Sequence, residues 1–295
     1  MDDFERYRRE LTAHCYRMLG TPEDAEDLVQ ETYLRAWRAR GDYDASRASF
    51  RTWLYRIATN ACLTALRSRG RRPLPMDLAA PDEDPHGPLR PGEVPWLAPF
   101  PCDPAEEAAA RGSMRLAFVA SVQYLPARQR AVLLLRDVLD FPAAEVAVLL
   151  ETSVAAVNSA LQRARARVGR LAEHDVDATA AREVVDRYVA AFEAADVEGL
   201  SRLLARDAIL EMPPVLNWLI GRAHYASFIE RVYGMAGTEW RMLPVWANGQ
   251  PGVAAYAAGV AHSLQVFDVR DARVARNTVW VVPELFGRFG LPERL

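Results

Sequence analysis

The sequence contains no lysine, and all 36 of its basic residues are arginine. The planar guanidinium group suits phosphate and the edge of guanine, but a complete absence of lysine is explained more simply by a GC-rich genome. The 36 basic and 39 acidic residues leave a net charge of −3, which by itself indicates no partner. The position of the charges is therefore more informative than their sum.

Cysteine and long apolar runs are also scarce. Cys15, Cys62 and Cys102 are too few and too far apart for a disulfide framework or a zinc site. We expect small buried side chains in a reducing cytosol, with no metal and no cofactor. The run AVLLL at 131–135 falls far short of the roughly 20 residues that cross a bilayer, and the first ten residues are charged throughout. These absences predict a soluble cytoplasmic protein.

Charge and proline divide the chain. Residues 1–72 carry 14 arginines against 11 acids, and residues 111–173 carry 9 against 5. Between them, residues 73–110 carry 1 arginine against 8 acids. Ten of the 19 prolines lie within 73–104. We therefore predict an extended acidic linker over 73–107.

Helical periodicity dominates residues 1–72. One helix opens with Thr21 as N-cap, Pro22 at the first helical position and Asp24 completing a capping box. Its apolar positions recur every three or four residues and predict one buried face: Ala25, Leu28, Val29, Thr32, Tyr33 and Ala36. A later stretch, SFRTWLYRIATNACLTALRSRGRR, has the same periodicity, and its predicted inward residues are Phe50, Trp53, Leu54, Ile57 and Ala61.

Four more helices are predicted after the linker, three of them started by proline. They correspond to PAEEAAARGSMRLAFVASVQYL, PARQRAVLLLRDVL, FPAAEVAVLL and TSVAAVNSALQRARARVGR. The break between the last two is only ETS. A short helix joined by a three-residue turn to a longer basic helix indicates a helix-turn-helix domain, which we place at 108–173.

The last of these helices has an apolar stripe and a polar face. The stripe consists of Val154, Val157, Leu161, Ala164, Val168 and Leu171. A solvated surface helix would usually carry acids for i, i+4 support, and residues 152–172 contain none. DNA contact is therefore favoured, with small and amide side chains and Arg163 at the bases and the later arginines, including Arg170, at the phosphates. The predicted contact residues are Ser153, Ala155, Asn158, Ser159, Gln162, Arg163, Arg165 and Arg167.

The earlier basic stretch leaves two interpretations open. Residues 46–72 carry 7 arginines and no acid. Tyr55 lies among arginines and hydroxyls on the face predicted to point away from the core, which suits a single-stranded nucleic acid because exposed bases stack. A core helix with one hydrated side fits equally well. The polar loop RGDYDASRAS ahead of the helix could receive a splayed base.

Beyond residue 178 the pattern changes to helices followed by alternating or apolar runs. AILEM, TEWRMLPVWANG, GVAAYAAGVAHSLQVFDVR and ARVARNTVWVV are predicted strands. This order predicts an α+β domain over 178–295, in which a curved antiparallel sheet wraps a helix. The predicted fold is thus multidomain: two all-α domains joined by the linker, followed by an α+β cone.

Together these motifs resemble the extracytoplasmic-function (ECF) group of bacterial RNA polymerase sigma factors. The resemblance rests on GTPEDAEDLVQETYLRAWRA, DASRASFRTWLYRIATNACLTALRSR and LPARQRAVLLLRDVLDFPAAEVAVLLETSVAAVNSALQRARARV. It implies that 1–72 correspond to region 2 and 108–173 to region 4. Core RNA polymerase and promoter DNA are the implied partners, and the acidic linker would thread toward the polymerase channels. Thr64 departs from the aspartate often found there.

The resemblance also implies residue roles. The first helix named above would dock on the clamp helices of the polymerase through Asp27, Gln30, Glu31, Leu34 and Arg35. LPARQRAVLLLR would lie against the polymerase flap, and the last helix of region 4 would read the −35 element. The −10 element would be opened and read by Ser46, Arg47, Ser49, Arg51, Thr52, Tyr55, Arg56, Thr59 and Asn60.

The C-terminal domain resembles the SnoaL-like extension of some such sigma factors, within the nuclear-transport-factor-like cone fold. Relatives enclose an apolar pocket and use an Asp/His pair for acid–base chemistry. The polar and aromatic candidates for a pocket that could hold a small-molecule ligand are Asp207, Glu211, Trp218, His224 and His262. No nucleophile, base and orienting group can be assembled from them. We therefore expect a regulatory domain and no catalytic residues.

Two other functions compete with that of a sigma factor. An ordinary helix-turn-helix regulator with a ligand-sensing domain would leave the arginine-rich stretch over 46–72 unexplained. A fused enzyme of the cyclase or isomerase type would use the pocket of the cone as its active site. Neither alternative accounts for both basic segments, so a promoter-specificity factor is the leading hypothesis.

Overall fold

The computed structural model describes residues 2–46, 48–109, 112–168 and 177–295. The chain divides into two compact units. We call Met1–Arg72 together with Ala110–Ala172 the helical unit, and Pro73–Ala109 together with Glu173–Leu295 the cone unit. The acidic linker thus belongs to the same compact unit as the C-terminal domain.

Helices account for most of the helical unit and strands for much of the cone unit. The helices are α1 Asp2–Leu19, α2 Pro22–Arg38, α3 Phe50–Ala65, α4 Pro104–Ala109, α5 Leu116–Val122, α6 Ala127–Leu133, α7 Ala143–Leu149, α8 Val154–Val168, α9 Ala178–Glu193, α10 Val197–Leu203 and α11 Arg222–Ala236. A π-helical turn over Leu134–Val138 continues α6. The strands are β1 Leu204–Glu211, β2 Trp218–Ile220, β3 Trp240–Ala247, β4 Gln250–Ala257, β5 Val260–Arg270 and β6 Arg273–Trp280.

The start of α2 confirms the predicted N-cap but not the capping box. The Thr21 hydroxyl accepts a hydrogen bond from the Asp24 amide at 3.3 Å. The Asp24 carboxylate instead forms ion pairs with Arg69 and Arg72. Two guanidinium groups bind a carboxylate more strongly than one backbone amide does, so Asp24 joins α2 to the segment after α3.

The predicted faces of α3 are partly wrong. Leu54 and Ala61 are buried as expected, but Tyr55 and Thr59, placed on the outer face, are also fully buried. Trp53 is only half-buried. The physical reason is that α3 packs against α1 and α2 and also against α6 and α7. A helix with neighbours on several sides has no single apolar stripe for a periodicity to reveal.

The helix-turn-helix is present, although one predicted helix before it is broken. Gly112 has a φ of 74°, a conformation that favours glycine, and it interrupts the predicted helix between α4 and α5. α7 and α8 are bent by 101° across their short connection. The buried side chains of α8 are Val157, Leu161 and Ala164. Val154, predicted in the same stripe, is 43% exposed, and residues 170 and 171 lie outside the described ranges.

The cone unit has the predicted α+β fold, with a mixed sheet in the order β2-β1-β6-β5-β4-β3. β3 to β6 form the predicted antiparallel meander. β1 joins β6 in parallel, and the short strand β2 was not predicted. β1 and β2, which precede the meander in the chain, therefore extend the sheet beside β6.

Both faces of this sheet are covered. Leu210 and Met212 belong to the core under the helices, with Tyr188 and Phe267. Since neighbouring strand residues point to opposite faces, Glu211 points to the other face, which the linker covers. Leu97 of the linker is fully buried, and its carbonyl accepts the indole N–H of Trp280 at 2.8 Å.

Hydrogen bonds hold the linker along the sheet. Phe100 and Asn248 exchange two of them, at 3.0 and 2.8 Å. Asn217 accepts the Arg90 amide at 2.6 Å and donates to the Pro88 carbonyl at 3.2 Å. The linker is largely extended, as predicted, and several of its backbone polar groups are satisfied by the cone. A 3-10 turn over Pro75–Asp77 and the start of α4 are the exceptions.

Within the described residues, no single helix is long and apolar enough to cross a membrane. The sharply bent pair α7 and α8 meets the length and composition requirement only when both helices are counted together. Cys15, Cys62 and Cys102 are buried and form no disulfide, which agrees with the prediction of small buried side chains.

Replacing Leu97 by alanine should destabilise the cone unit. The substitution leaves a cavity under the linker, and we expect the free energy of unfolding to fall by about 2–5 kcal/mol. Urea denaturation followed by tryptophan fluorescence measures the change. Leu89→Ala is the matched control, because Leu89 lies in the same linker but is 39% exposed. Equal effects of the two substitutions would contradict a packed linker.

Candidate nucleic-acid and polymerase-binding sites

One face of α2 is open to solvent. Asp27, Gln30, Leu34 and Arg35 are exposed and Glu31 is half-buried. These are the five residues predicted to bind polymerase, and their spacing places them on one side of the helix. The carboxylate of Glu31 pairs with Arg35 at 2.6 Å, which orders the face.

A cavity of about 500 Å³ lies beside the start of α3. Its lining includes Arg56 and Asn60, both in the predicted −10 set. Tyr43, Trp53 and Ile57 also line it, although sequence reasoning assigned Trp53 and Ile57 to the core. Aromatic and aliphatic side chains carry the same apolar signal in a core and in a cavity wall, so periodicity could not separate these roles. The complete lining is Arg35, Ala39, Asp42, Tyr43, Asp44, Ala48, Trp53, Arg56, Ile57 and Asn60.

The loop before α3 is ordered by local hydrogen bonds. Ser49 caps α3 by accepting the Thr52 amide at 3.0 Å. Ser46 donates to Asp44 at 2.7 Å, and the Tyr43 hydroxyl donates to the Ala48 carbonyl at 3.3 Å. Ser46 and Ser49 are exposed at this loop. The predicted −10 residue at position 47 lies outside the described ranges.

The remaining predicted −10 residues lie away from the cavity. Tyr55 and Thr59 are fully buried, and Arg51 and Thr52 are half-buried. The Thr59 hydroxyl is 3.0 Å from Nε2 of His14. Burial lowers the pKa of His14 to about 3, so this ring is neutral at physiological pH. The predicted set is therefore divided between an open cavity and a packed surface.

The outer face of α8 is accessible along its described length. All eight predicted −35 contacts are exposed. Ser153 caps the helix by accepting the Ala156 amide at 3.2 Å, and Arg163 donates to Ser159 at 2.5 Å. Arg165 forms a bidentate ion pair with Asp137 at 2.8 and 2.7 Å. The hydrogen bonds that Arg165 donates to the Asp137 carboxylate raise the pKa of Arg165.

The pocket candidates of the cone do not come together. Asp207 is exposed on β1. His224 on α11 contacts the Ile220 carbonyl at 3.1 Å. The indole of Trp218 donates to the linker carbonyl of Ala79 at 2.8 Å. The ring centroids of His262 and Trp240 are 5.0 Å apart in a T-shaped arrangement. Burial lowers the pKa of His262.

A different polar cluster occupies the interior of the cone. The hydroxyls of Tyr188 and Tyr225 are 2.9 Å apart, and Asn277 donates to Tyr225 and to Gln265, both at 2.8 Å. All four side chains are buried. Sequence reasoning missed this cluster because its members come from two helices and two strands. It has hydrogen-bonding groups but no carboxylate.

Glu211, the fifth candidate, lies on the linker side of the sheet. Its carboxylate accepts the Thr278 hydroxyl at 3.0 Å and is 3.5 Å from Arg276. Burial raises the pKa of Glu211, while Arg276 and Thr278 oppose the shift and Asp77 of the linker adds to it. The backbone of Met76, also in the linker, lowers the pKa, so the linker acts on this carboxyl group in both directions.

The structure combines a helix-turn-helix that has an exposed basic helix, a second arginine-bearing helix beside a cavity, and a fused cone. These features define a DNA-binding transcription protein. Three family models match the chain: sigma-70 region 2 at residues 4–72, sigma-70 region 4 at 115–168 and a SnoaL-like domain at 185–281. The two sigma models cover the helical unit, and the third covers most of the cone.

Similar proteins share this whole arrangement. The chain is 47% identical to the ECF RNA polymerase sigma factor SigG of Mycobacterium tuberculosis, over 99% of this chain and 83% of that protein. It is 30% identical to SigJ of the same organism, over 100% of this chain and 95% of the other. The crystal structure of SigJ matches with a TM-score of 0.70, 26% identity and 99% coverage of both chains.

The chain belongs to the ECF family of RNA polymerase sigma factors. It is a sigma factor, and its partners are core RNA polymerase and promoter DNA. The competing interpretations as a simple helix-turn-helix regulator or a fused enzyme are not favoured.

Replacing Glu211 by glutamine should change how stability depends on pH. Because the folded pKa is raised, the stabilisation from the protonated carboxyl is fully present below the unfolded value of 4.5 and is lost as the pH rises through the folded value. We therefore expect stability to fall less steeply above pH 4.5 in Glu211→Gln than in the wild type. Urea denaturation at a series of pH values measures both slopes, with the exposed Asp207→Asn as control. Parallel curves would show that Glu211 does not titrate under the linker.

Proposed function

We propose that the helical unit divides promoter recognition among three surfaces. α2 docks on core polymerase, the cavity beside α3 captures an unstacked base of the −10 strand, and α8 reads the −35 element. In this assignment residues 1–72 act as region 2 and residues 108–173 as region 4. The observation that carries the proposal is the cavity, because a preformed cleft next to arginines is what an extruded base requires.

The walls of the cavity suit a nucleotide. Tyr43 and Trp53 offer aromatic faces for stacking, and their ring centroids are 5.1 Å apart. Arg56 on the lining can neutralise a phosphate. The amide of Asn60 provides a donor and an acceptor for a base edge. A volume of about 500 Å³ is sufficient for such a ligand.

Asn60→Ala should weaken reading of the −10 element. A good base contact contributes about 1–3 kcal/mol of discrimination, so we expect roughly five- to one-hundred-fold less run-off transcript with purified core polymerase. The effect should shrink on promoters altered at the captured base. Thr64→Ala, one turn further along α3 and exposed, should transcribe normally. Wild-type discrimination by Asn60→Ala would exclude the amide from base reading, and a wild-type chain that initiates on no promoter would refute the proposed function.

The exposed face of α8 supports its assignment to duplex DNA. Asn158 and Gln162 carry amides that can pair with adenine in the major groove. Arg163 lies beside them, and Arg167 is exposed farther along and suits a phosphate. Arg165 is oriented by Asp137, which would present its guanidinium in one direction. We infer that base contacts lie toward the start of α8 and phosphate contacts toward its end.

For the cone we propose a regulatory, non-catalytic role through the linker. Its five pocket candidates are dispersed, which gives no support to acid–base chemistry. Its contacts to the linker are extensive: Asn217 holds Pro88 and Arg90, and Arg231 donates to the carbonyls of Pro85 and Gly87. A linker bound along the sheet cannot also thread into polymerase. The cone therefore restrains transcription until the linker is released.

Asn217→Ala removes two linker contacts at once and should raise activity. We expect about five- to thirtyfold more run-off transcript, together with faster proteolysis of the linker, because each of the two lost hydrogen bonds contributes about 1 kcal/mol to binding of the linker. His224→Ala, which alters a candidate away from the linker, should match the wild type. Faster proteolysis with unchanged or reduced transcription would contradict restraint by the cone.

A further inference from the structure

The first residue of α8 is an exposed valine. Val154 is 43% exposed, whereas Val157 and Leu161, three and seven residues further along, are 0% and 6% exposed. The sequence places all three in one apolar stripe, and α8 packs on α6 and α7. Val154 is therefore a branched apolar side chain that this packing leaves in water.

Val154 lies at the border between the buried stripe and the outer face of α8. At about 100° per residue, Asn158 is displaced from Val154 by about 40° around the helix, and Val157 by about 60° in the other direction. Asn158 is exposed and belongs to the predicted −35 contacts. Because side chains at i and i+4 are neighbours on a helix surface, Val154 adjoins a side chain that is assigned to the bases.

Hydrogen bonds fix the start of α8. The Thr152 amide donates to the Ala147 carbonyl of α7 at 2.8 Å, and Ser153 caps α8 by accepting the Ala156 amide at 3.2 Å. In a helix-turn-helix, the N-terminal residues of the second helix contact base edges in the major groove. The first turn of α8, which includes Val154, is therefore the part of the helix expected at the bases.

The chemistry of a valine matches one base in the major groove. The C5-methyl group of thymine is the apolar group exposed there, and the other edges present hydrogen-bond donors and acceptors. A valine placed against a polar edge would remove water from it and supply no hydrogen bond in return. Against the thymine methyl group, it buries apolar surface on both partners.

We propose that Val154 is a specificity-determining residue of α8, and that it reads the C5-methyl group of a thymine in the −35 element. This inference rests on the proposed function, because that assignment places α8 in the major groove. Since Val154 adjoins Asn158, the thymine belongs to the base pair that Asn158 contacts or to a pair next to it.

Removing single methyl groups from the DNA tests this contact. Holoenzyme is assembled from core polymerase and the full chain, and its affinity is measured for duplexes of a promoter that the wild type transcribes. Each thymine of the −35 element is replaced in turn by deoxyuridine, which lacks the methyl group and keeps every hydrogen-bonding group. We expect one replacement to weaken wild-type binding about fourfold, the effect of one buried methyl group. No loss at any thymine, or an element without thymine, would overturn the proposal.

Val154→Ala should remove this sensitivity. The variant should bind the thymine and deoxyuridine duplexes equally, and about as weakly as the wild type binds the deoxyuridine duplex. Alanine is a better helix former than valine, so α8 should stay folded. Val154→Ile keeps a branched apolar side chain and should retain the preference for thymine.

Val148→Ala is the matched control. Val148 lies on α7 of the same helix-turn-helix and is 72% exposed, so this variant removes the same apolar atoms from another position. It should discriminate between thymine and deoxyuridine as the wild type does. An undiminished preference for thymine in Val154→Ala would show that another residue reads the methyl group, and the proposal would be wrong.

A duplex with a scrambled −35 element separates this inference from the proposed function. If scrambling weakens wild-type binding but no single methyl group matters, α8 keeps its assignment and only the role of Val154 is refuted. If scrambling leaves the affinity unchanged, the assignment of α8 to the −35 element fails, and the inference about Val154 fails with it.

Discussion

Both faces of the sheet in the cone unit carry apolar side chains, and each face must be covered to be stable in water. α9 and α11 cover one face. On the other face lies a proline-rich segment that would be disordered as a free chain. Leu97 packs there with Trp280, and Asn217 and Asn248 supply hydrogen bonds to its backbone. The segment between the two helical regions is therefore also a structural layer of the C-terminal domain.

The two regions of the helical unit meet through a more polar interface. Arg130, Arg17 and Gln123 bridge the two regions by hydrogen bonds, whereas the linker combines hydrogen bonds to the cone with buried apolar side chains such as Leu97. Polar interfaces exchange protein partners for water at little net free energy, and the buried cation adds a cost.

The packing of the linker on the sheet and the packing of the two helical regions on each other involve different surfaces. The cavity beside α3 and the outer face of α8 are accessible, while the Tyr55 face of α3 and the linker are engaged within the protein. The interior of the cone holds Tyr188, Tyr225 and Asn277 in one hydrogen-bonded cluster, which stabilises the domain without bringing an acid and a base together. The fused domain thereby has the architecture of a binding fold, and it makes hydrogen bonds to the linker.

Local pattern alone determined the helices of both regions, the short turn before α8 and its acid-free exposed face, because caps, periodicity and charge are encoded within a few residues. The family resemblance followed from the same segments. Which side of α3 is buried could not be predicted in this way, since Thr52 and Glu145 meet from positions 93 residues apart. The parallel pairing of β1 with β6 and the packing of the linker also depend on distant partners. Only the tertiary structure decided them, because the free energy of burial depends on which surfaces meet in space rather than on neighbours along the chain.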